Sequence, residues 1–272
     1  MAVYDMGKSI IYRVCGDRYL FLELGDEVDL FLTVKGMLLK EIIEKKNIKG
    51  IKEITFAVCS LLINYDPLEI KVHELTSRLK ELENEEIDFK KEIPSRLIRL
   101  PILFDDRWTR ECSKAHNLSP DLEFVAEYNN LSVDEFIKVY TSTDYWVKCL
   151  SFSPGEITFN VLDPKKELRA PQLKVPRTWT PAGAVGIYRS GNCIYAMNTP
   201  GGVRLVGRTP LLIFDINQIN PVFKESPVLF RPGDRIRLIP IGEKEYLAIE
   251  RNINSYIYGI EEGIFVPNWL RT

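Results

Sequence analysis

From Asp144 to Ile241 the sequence consists of short apolar runs separated by prolines and glycines, and this pattern constrains the fold more than any other feature of the chain. The runs are YWVKCLSF, AVGIY, CIYAM, RLVG, LLIF and RIRLIPI. Short strands at such spacing, with turn residues between them, are typical of a β-sandwich or a β-barrel. We therefore predict that this half of the chain folds as one of the two.

The first ninety residues have a different pattern, in which strand-like and helix-like segments alternate. The segments are residues 10–24, 29–47, 51–64 and 68–85, which predict in turn a hairpin around Gly16, a helix, strands and a second helix. This order predicts a small α/β domain. The charged residues 83–96 end at a proline and predict a linker.

The residues between these two halves combine a strand and helices. Residues 97–103 predict a short strand, and two helices are expected within residues 117–140. The second of these helices has a capping box, because Ser132 is followed three residues later by Glu135. A last helix is expected over about residues 243–262.

Composition excludes several classes of protein. The 272 residues are 45% hydrophobic and 27% charged, with a formal net charge of -2, which does not fit a general nucleic-acid binder. No apolar run approaches the length needed to span a bilayer, so we expect a cytoplasmic protein without membrane contact. The five cysteines are far apart and the two histidines have no partner at metal-ligand spacing, so no metal site is expected.

The stretch NTPGGVRLVGRTPLLIFD, residues 198–215, places arginines between glycines and an apolar strand. Arg208 lies there in GRTP, and Arg177 lies in VPRTWTPAG. A guanidinium held beside a rigid turn can bind a carboxylate or phosphate oxygen, and Thr209 can add a hydrogen bond. Each arginine can equally tie down a loop carbonyl, and the glycines can simply form turns at barrel corners. No phosphate-binding loop and no Ser/His/Asp arrangement can be built.

Three motifs in a fixed order resemble one known family. The chain carries VPRTWTPAGAVGIY, then NTPGGVRLVGRTPLLIFD, then RPGDRIRLIPI. These closely resemble the signature of allophanate hydrolase subunit 1 domains, the family of the 5-oxoprolinase B subunit and of the bacterial sporulation-kinase inhibitor. The resemblance covers nearly the whole chain, from GDRYLFLELGDEVD to IGEKEYLAIERNINSYIYGIEEG.

The resemblance implies an α+β fold. A small ferredoxin-like α/β domain would occupy residues 1–90, and a cyclophilin-like β-barrel domain with a C-terminal helix would occupy residues 91–272. It also implies a subunit of a multi-subunit, ATP-dependent amidohydrolase resembling 5-oxoprolinase, which opens the lactam ring of 5-oxoproline to give glutamate.

The resemblance further implies partners and a cofactor. The partners would be a homologous second cyclophilin-like subunit of the allophanate hydrolase subunit 2 type and, in the oxoprolinase system, a third, lactam-utilisation-type subunit. Since the chain has no phosphate loop of its own, ATP is expected at an interface with a partner.

Ten residues match the family's motifs and are expected to line a pocket or a subunit interface. They are Pro176, Arg177, Gly183, Gly186, Pro200, Gly201, Gly202, Gly207, Arg208 and Thr209. By this resemblance, Arg177 and Arg208 converge to hold an anionic substrate or a phosphorylated intermediate, with help from Thr209 and the glycine N–H groups.

The sequence departs from the family's pattern at positions expected to face a ligand. Tyr140 stands where the family has histidine, Glu156 stands in place of an aromatic ring, and Val203 stands in place of tryptophan. A tyrosine, with a pKa near 10, cannot replace a histidine base near neutral pH without a large shift. Glu156 is a candidate acid–base group or specificity determinant.

These departures leave alternatives open. One is a non-catalytic regulator that binds and inhibits a sensor histidine kinase, since a binding module need not keep catalytic groups. Another is a subunit of a related amidase or carboxylase complex.

Overall fold

The computed structural model describes residues 9–26, 30–84 and 93–266. The chain divides into two compact units, one comprising Met1–Glu92 with Val266–Thr272 and the other comprising Ile93–Phe265. The predicted domain boundary after residue 90 lies outside the described residues. Each unit has its own sheet.

The N-terminal unit is a four-stranded antiparallel sheet with two helices. Its elements are β1 (Ile11–Cys15), β2 (Tyr19–Glu23), α1 (Leu30–Lys46), β3 (Ile51–Ala57), β4 (Ser60–Tyr65) and α2 (Val72–Asn84), and the strand order is β1-β2-β4-β3. The predicted hairpin and both helices are confirmed. Gly16 makes the first turn at φ +67°, a conformation that glycine adopts without steric cost. The ferredoxin-like arrangement stays a prediction.

Buried side chains explain why this unit's helices form where they do. On α2, Leu75, Leu79 and Leu82 recur at helical spacing and are buried. On α1, Gly36 lies against the Phe56 ring, where a Cβ would come within 2.5 Å of the ring. The helix can therefore approach β3 closely.

The larger unit contains most of the strands. They are β5 (Ile93–Pro94), β6 (Leu97–Phe104), β7 (Asp144–Leu150), β8 (Ile157–Val161), β9 (Arg177–Thr180), β10 (Ala184–Tyr188), β11 (Gly191–Ile194), β12 (Thr199–Gly201), β13 (Arg204–Arg208), β14 (Arg235–Pro240), β15 (Gly259–Glu261) and β16 (Ile264–Phe265). Its helices are α3 (Arg107–Ala115), α4 (Asp121–Tyr128), α5 (Val133–Thr141) and α6 (Glu243–Arg251).

Seven of these strands close into a barrel in the order β13-β10-β11-β8-β7-β14-β6, with β6 pairing back to β13. The closing contact pairs Gly207 with Phe104 and Arg208 with Leu103. A Cβ on Gly207 would lie 2.7 Å from the Leu103 carbonyl oxygen, so glycine lets the two strands meet. Strand β15 pairs with the outside of β6, while β9 and β12 form a separate ribbon. The predicted β-barrel is confirmed, and its cyclophilin-like character stays a prediction.

The helices of this unit agree only in part with those predicted from the sequence. Ser132 and Glu135 form the predicted capping box at the start of α5. Helix α6 ends at Arg251 rather than near residue 262, because the chain turns at Asn252 and then pairs as β15. Helix α3 was not predicted, and its N-cap is Asp106, whose side chain accepts a hydrogen bond from Thr109 N at 2.9 Å. Over the described ranges, no helix is long and apolar enough to cross a membrane.

Candidate functional site at one end of the barrel

Glu156 and Arg208 lie in one row across four neighbouring strands at the same end of the barrel. Glu156 directly precedes β8, whose first residue pairs with Ile194 on β11. The next residue, Tyr195, donates its backbone N–H to the Ala184 carbonyl at 3.0 Å, and Ala184 pairs with Arg208. Three strand spacings separate the ends of the row, so the path along the barrel wall between the two Cα atoms is about 14 Å.

The outer face of the barrel beside this row is a buried layer rather than a solvated surface. Cys193 on β11 and Tyr195, the residue that follows β11, pack in one apolar cluster with Cys112 of α3. The rest of this cluster is Ala184, Val203, Leu205 and, at its edge, Tyr188. Groups in this layer are therefore shielded from water, which strengthens electrostatic effects on them.

Glu156 is a buried carboxyl with an unusual pKa. It is 4% exposed, and its Oε2 accepts a hydrogen bond from Ser153 Oγ at 2.9 Å. Burial raises the pKa of Glu156 to about 7, and the Ser153 hydrogen bond opposes the rise only in part. The loop above it is tight, because Phe152 has φ +68° and a Cβ on Gly155 would lie 2.4 Å from Phe214 Cβ. Glu156 can exchange a proton near neutral pH.

The raised pKa predicts how Glu156 affects stability. Its pKa rises from an ordinary 4.5 to about 7 on folding, so the stability it contributes is complete below pH 4.5 and is lost as pH rises through 7. Glu156→Gln, which stays neutral, should match the unchanged protein at pH 4.5 and exceed it by about 1–3 kcal/mol at pH 8. Urea unfolding at the two pH values measures this, with exposed Glu127→Gln as the control. A gain of the same size at both pH values would contradict the raised pKa.

Arg208 lies between two aromatic rings, and one of its guanidinium nitrogens makes no hydrogen bond among the described residues. Its guanidinium carbon lies 4.6 Å from the Trp108 ring centroid and 5.5 Å from that of Tyr246, within the range of cation–π attraction. Nε donates to the Ala182 carbonyl at 2.7 Å, and one terminal nitrogen lies 3.5 Å from Glu250 Oε1. That nitrogen is buried and makes no hydrogen bond within the described part of the chain. Glu250 is already an anionic partner of this nitrogen, and binding of a substrate anion by Arg208 stays a prediction.

Arg177 lies in the protein interior and does not converge with Arg208. Its guanidinium forms an ion pair with Asp121 in which both side chains are fully buried, and it donates to the Val203 carbonyl at 2.9 Å. Asp121 also accepts from Arg204 at 3.0 Å and from Leu205 N at 2.9 Å. The predicted contact between Arg177 and a ligand is corrected to an internal ion pair that fastens β9 to α4 and β13.

Gly183, Gly207 and Thr209 join Arg208 at the barrel end. Gly183 has φ +80°, and a Cβ there would lie 2.5 Å from the Thr209 carbonyl oxygen. Thr209 N donates to the Gly183 carbonyl at 2.9 Å, and Thr209 Oγ1 accepts from Leu211 N at 3.2 Å. These contacts shape the turn that carries Arg208, and a contact between Thr209 and substrate stays a prediction.

Small residues let the β9–β12 ribbon lie close to the barrel. Gly201 pairs with Arg177, and a Cβ on Gly201 would lie 2.3 Å from the Tyr195 hydroxyl. On β10, a Cβ on Gly186 would lie 2.6 Å from Val203 Cγ1. The other predicted residues of the ribbon and its flanks are Pro176, Pro200 and Gly202. Gly201 and Gly186 allow this close approach, and a role at a subunit interface stays a prediction for all of these residues.

Tyr140 lies in the barrel core, apart from Glu156. Its hydroxyl donates to Asn192 Oδ1 at 2.8 Å, and burial raises the pKa of Tyr140 well above its usual value. Asn192 pairs with Phe159, which lies three residues after Glu156 in the sequence. Tyr140 therefore serves as a neutral hydrogen-bond donor and not as a base.

Several residues around the site were not predicted from the sequence. Trp108 belongs to α3, and only the Asp106-x-x-Thr109 spacing signalled that helix. Asp121 follows Pro120 at a helix start, which identifies a helix terminus but not its arginine partners. His116 accepts a hydrogen bond from Thr178 N at 3.1 Å and so joins the end of α3 to β9.

Comparison with known proteins identifies relatives over nearly the whole chain. A family model described as carboxyltransferase domain, subdomain C and D, matches residues 10–224. The B subunit of Bacillus subtilis 5-oxoprolinase is 31% identical over 248 residues, which cover 88% of this chain and 96% of that protein. The urea amidolyase of Saccharomyces cerevisiae is 31% identical over 280 residues, or 97% of this chain. The resemblance to the B subunit of 5-oxoprolinase is confirmed.

The fold matches solved structures of larger proteins. The urea amidolyase of K. lactis superposes with a TM-score of 0.87 at 28% identity, and the urea carboxylase of Kluyveromyces lactis with 0.86 at 28% identity. Both matches cover 96% of this chain but only 17% and 24% of the larger chains. The chain likewise spans 15% of the length of the matched urea amidolyases.

Proposed function

Because the chain belongs to the family of carboxyltransferase domains, subdomain C and D, we propose that it works as a subunit of an ATP-dependent amidohydrolase that opens the lactam ring of 5-oxoproline to give glutamate. The match with the B subunit of a 5-oxoprolinase, which covers 96% of that protein, supports this choice over the urea amidolyases, of which the chain spans only a small part. The observation that carries the proposal is the buried Glu156 carboxyl, with a pKa of about 7, in one row with Arg208.

Glu156 would act as the general acid in this reaction. When an amide bond breaks, the leaving nitrogen needs a proton, and an acid with a pKa near the working pH supplies it efficiently. The buried layer beside Glu156 keeps water away, and the tight loop from Ser153 to Gly155 holds the carboxyl in place.

Arg208 would bind the negative charge of the substrate. Its Nη1 nitrogen, which makes no hydrogen bond among the described residues, would form charge-assisted hydrogen bonds with a carboxylate or with a phosphorylated intermediate. ATP would be bound jointly with a partner, for which we propose a homologous barrel subunit together with a third, lactam-utilisation-type subunit. ATP would supply the phosphoryl group for the reaction.

The proposal is tested by purifying the chain with the proteins encoded beside it. We expect ATP hydrolysis that depends on 5-oxoproline and that yields one glutamate for each lactam opened. Recovery of a sensor histidine kinase as the main partner, with no lactam-dependent turnover, would favour the regulator instead. Turnover that requires a carboxyl donor would favour the related carboxylase.

The role of Arg208 is tested by Arg208→Met, which keeps the length of the side chain and removes its charge. Loss of a charge-assisted hydrogen bond to the substrate should lower kcat/KM of the complex about 10- to 100-fold. Arg99→Met is the matched control, because Arg99 pairs with Glu261 on the surface at 2.7 Å. Unchanged turnover for Arg208→Met in a correctly assembled complex would remove Arg208 from the site.

A further inference from the structure

Large apolar side chains are exposed along one strip of the barrel unit, next to the loop that holds Glu156. The apolar strip consists of Phe152, Leu212, Ile216 and Ile219, each between 36% and 73% exposed, with the half-buried Phe214 among them. Single exposed apolar residues are ordinary, whereas a contiguous group of them marks a binding surface. Whether these five are contiguous therefore decides what the strip can do.

Three of the side chains lie on the outer side of one extended segment. Phe214 forms a β-bridge with Val228, so the chain around it is extended. Side chains alternate across an extended chain, and Ile213 is buried in the core of the barrel. Leu212, Phe214 and Ile216 therefore share the opposite, outward side.

Close contacts join both ends of the strip to this segment. At one end, the loop that carries Phe152 rests on Phe214, because a Cβ on Gly155 would lie 2.4 Å from Phe214 Cβ. At the other end, the carboxylate of Asp215 accepts a hydrogen bond from Ile219 N at 2.9 Å, which holds Ile219 in one tight turn with the segment. The five side chains therefore form one surface.

The charged residues of these segments are withdrawn from solvent. Residues 150–156 and 211–219 contain only two charged side chains, Glu156 and Asp215, and both are buried. The carboxylate of Asp215 accepts from two backbone N–H groups of its own turn. The two segments therefore present an uncharged surface, which fits an apolar protein face.

Phe152 has an unfavourable backbone conformation. Its φ is +68°, in the left-handed region that a bulky side chain rarely adopts. The loop is fixed by hydrogen bonds from Ser151 N to the Glu156 carbonyl at 3.1 Å and from Glu156 N to the Ser153 carbonyl at 3.0 Å. A strained, exposed aromatic residue beside a candidate active site points to a role in binding.

Two observations indicate what covers the strip. The loop that bears Phe152 also holds Glu156, so the strip is continuous with the proposed active site. In the urea amidolyase and the urea carboxylase of K. lactis, the matched fold makes up only 17% and 24% of the chain, so it is joined there to further protein. Another part of the same assembly is therefore a better occupant than a second copy of this chain.

We propose that the apolar strip is the surface on which the homologous barrel subunit docks, through an apolar face of its own. This inference rests on the proposed function, because the partner is the one proposed there. Docking buries the Phe152 ring and places the partner against the loop that positions Glu156. The acid and the subunit interface then share one loop.

The proposal is tested by titrating the full chain with the homologous barrel subunit encoded beside it, each purified separately, in a calorimeter. Ile216→Asp should weaken binding at least tenfold, because it would bury an unpaired charge in an apolar contact. Val175→Asp is the matched control, since Val175 is 79% exposed but precedes β9, outside the strip, and it should bind as before. Unchanged affinity for Ile216→Asp, or no binding of the barrel subunit to the unchanged chain, would overturn the proposal.

Phe152→Asn tests the end of the strip beside Glu156. Asparagine tolerates a positive φ, so the chain alone should unfold at the same or a higher urea concentration, while subunit binding weakens at least tenfold. Asn130→Gly, at another positive φ of +57°, should leave binding unchanged. Full affinity for Phe152→Asn would contradict the proposed docking surface.

Binding is measured without turnover, so this inference and the proposed function fail separately. A complex that forms through the strip but shows no lactam-dependent ATP hydrolysis would contradict the proposed function and support the docking surface. Sedimentation of the chain alone should show a monomer. A dimer of the chain that Ile216→Asp dissociates would assign the strip to a second copy and overturn its assignment to the barrel subunit.

Discussion

Asp121→Asn should lower the free energy of unfolding by about 3–5 kcal/mol, because it leaves two arginines without their counter-charge. The carboxylate of Asp121 is fully buried and accepts from Arg177, Arg204 and the backbone N–H of Leu205. Asparagine keeps the size of the side chain but removes the charge, and a buried guanidinium without a partner is strongly unfavourable. Urea unfolding of the full chain measures the loss.

A surface ion pair of similar geometry provides the control. Glu123 lies on the first turn of the same helix and pairs with Arg110 at 2.7 Å, with both side chains over 40% exposed. Glu123→Gln should change stability by no more than about 1 kcal/mol. A small loss for Asp121→Asn, comparable with that of Glu123→Gln, would mean that the buried cluster does not hold α4 and the β9–β12 ribbon to the barrel.

Glu156→Gln should lower lactam-dependent turnover of the assembled complex about 10²- to 10⁴-fold, the range that a general acid contributes. Glutamine fits the same space and can still bond with Ser153, but it cannot give up a proton at neutral pH. The loss should appear in kcat, because the group is needed to break the bond rather than to bind the substrate. Steady-state kinetics on the purified complex provide the measurement.

Two further variants show whether this loss is specific. Ser153→Ala removes the hydrogen bond that lowers the pKa of Glu156, so it should raise the apparent pKa of turnover and leave most of the activity. Glu127→Gln, at an exposed acid on α4, should behave like the unchanged protein. A complex that keeps full kcat with Glu156→Gln would exclude Glu156 as the acid.

Local patterns explain what could be predicted from the sequence. The hairpin around Gly16, the capping box at Ser132 and the strands of the barrel each depend on residues close together in the chain. Helix α3 was missed because its inward positions, Thr109, Cys112 and Ser113, are small or polar. Such a segment, RWTRECSKA, shows little of the apolar spacing that identifies a helix.

The surroundings of Arg177 and Arg208 could not be predicted from the sequence. Asp121 lies 56 positions before Arg177, and no local signal connects the two. Arg208 likewise meets Trp108 and Tyr246 from helices far away in the chain. The sequence favoured neither the ligand role nor the internal role for these arginines. Three-dimensional packing places Arg177 in an internal ion pair with Asp121 and Arg208 between two aromatic rings, and one buried donor without a hydrogen bond remains on each.

The burial of Glu156 is a second feature that could not be predicted from the sequence. The sequence marked this position only as a charge in place of an aromatic ring. Its pKa depends on the loop from Ser153 to Gly155 and on the layer that covers the barrel, both set by tertiary contacts. The family motif therefore identifies Glu156 as a candidate acid. Its raised pKa follows from the fold and not from the sequence.

The pH dependence of 5-oxoproline-dependent turnover by the assembled complex tests the central claim, that Glu156 supplies the proton for lactam opening, most directly. Activity should fall as pH rises through an ionisation near 7, and the residual activity of Glu156→Gln should show no such step. The same step near pH 7 in both proteins, at whatever overall rate, would contradict the claim.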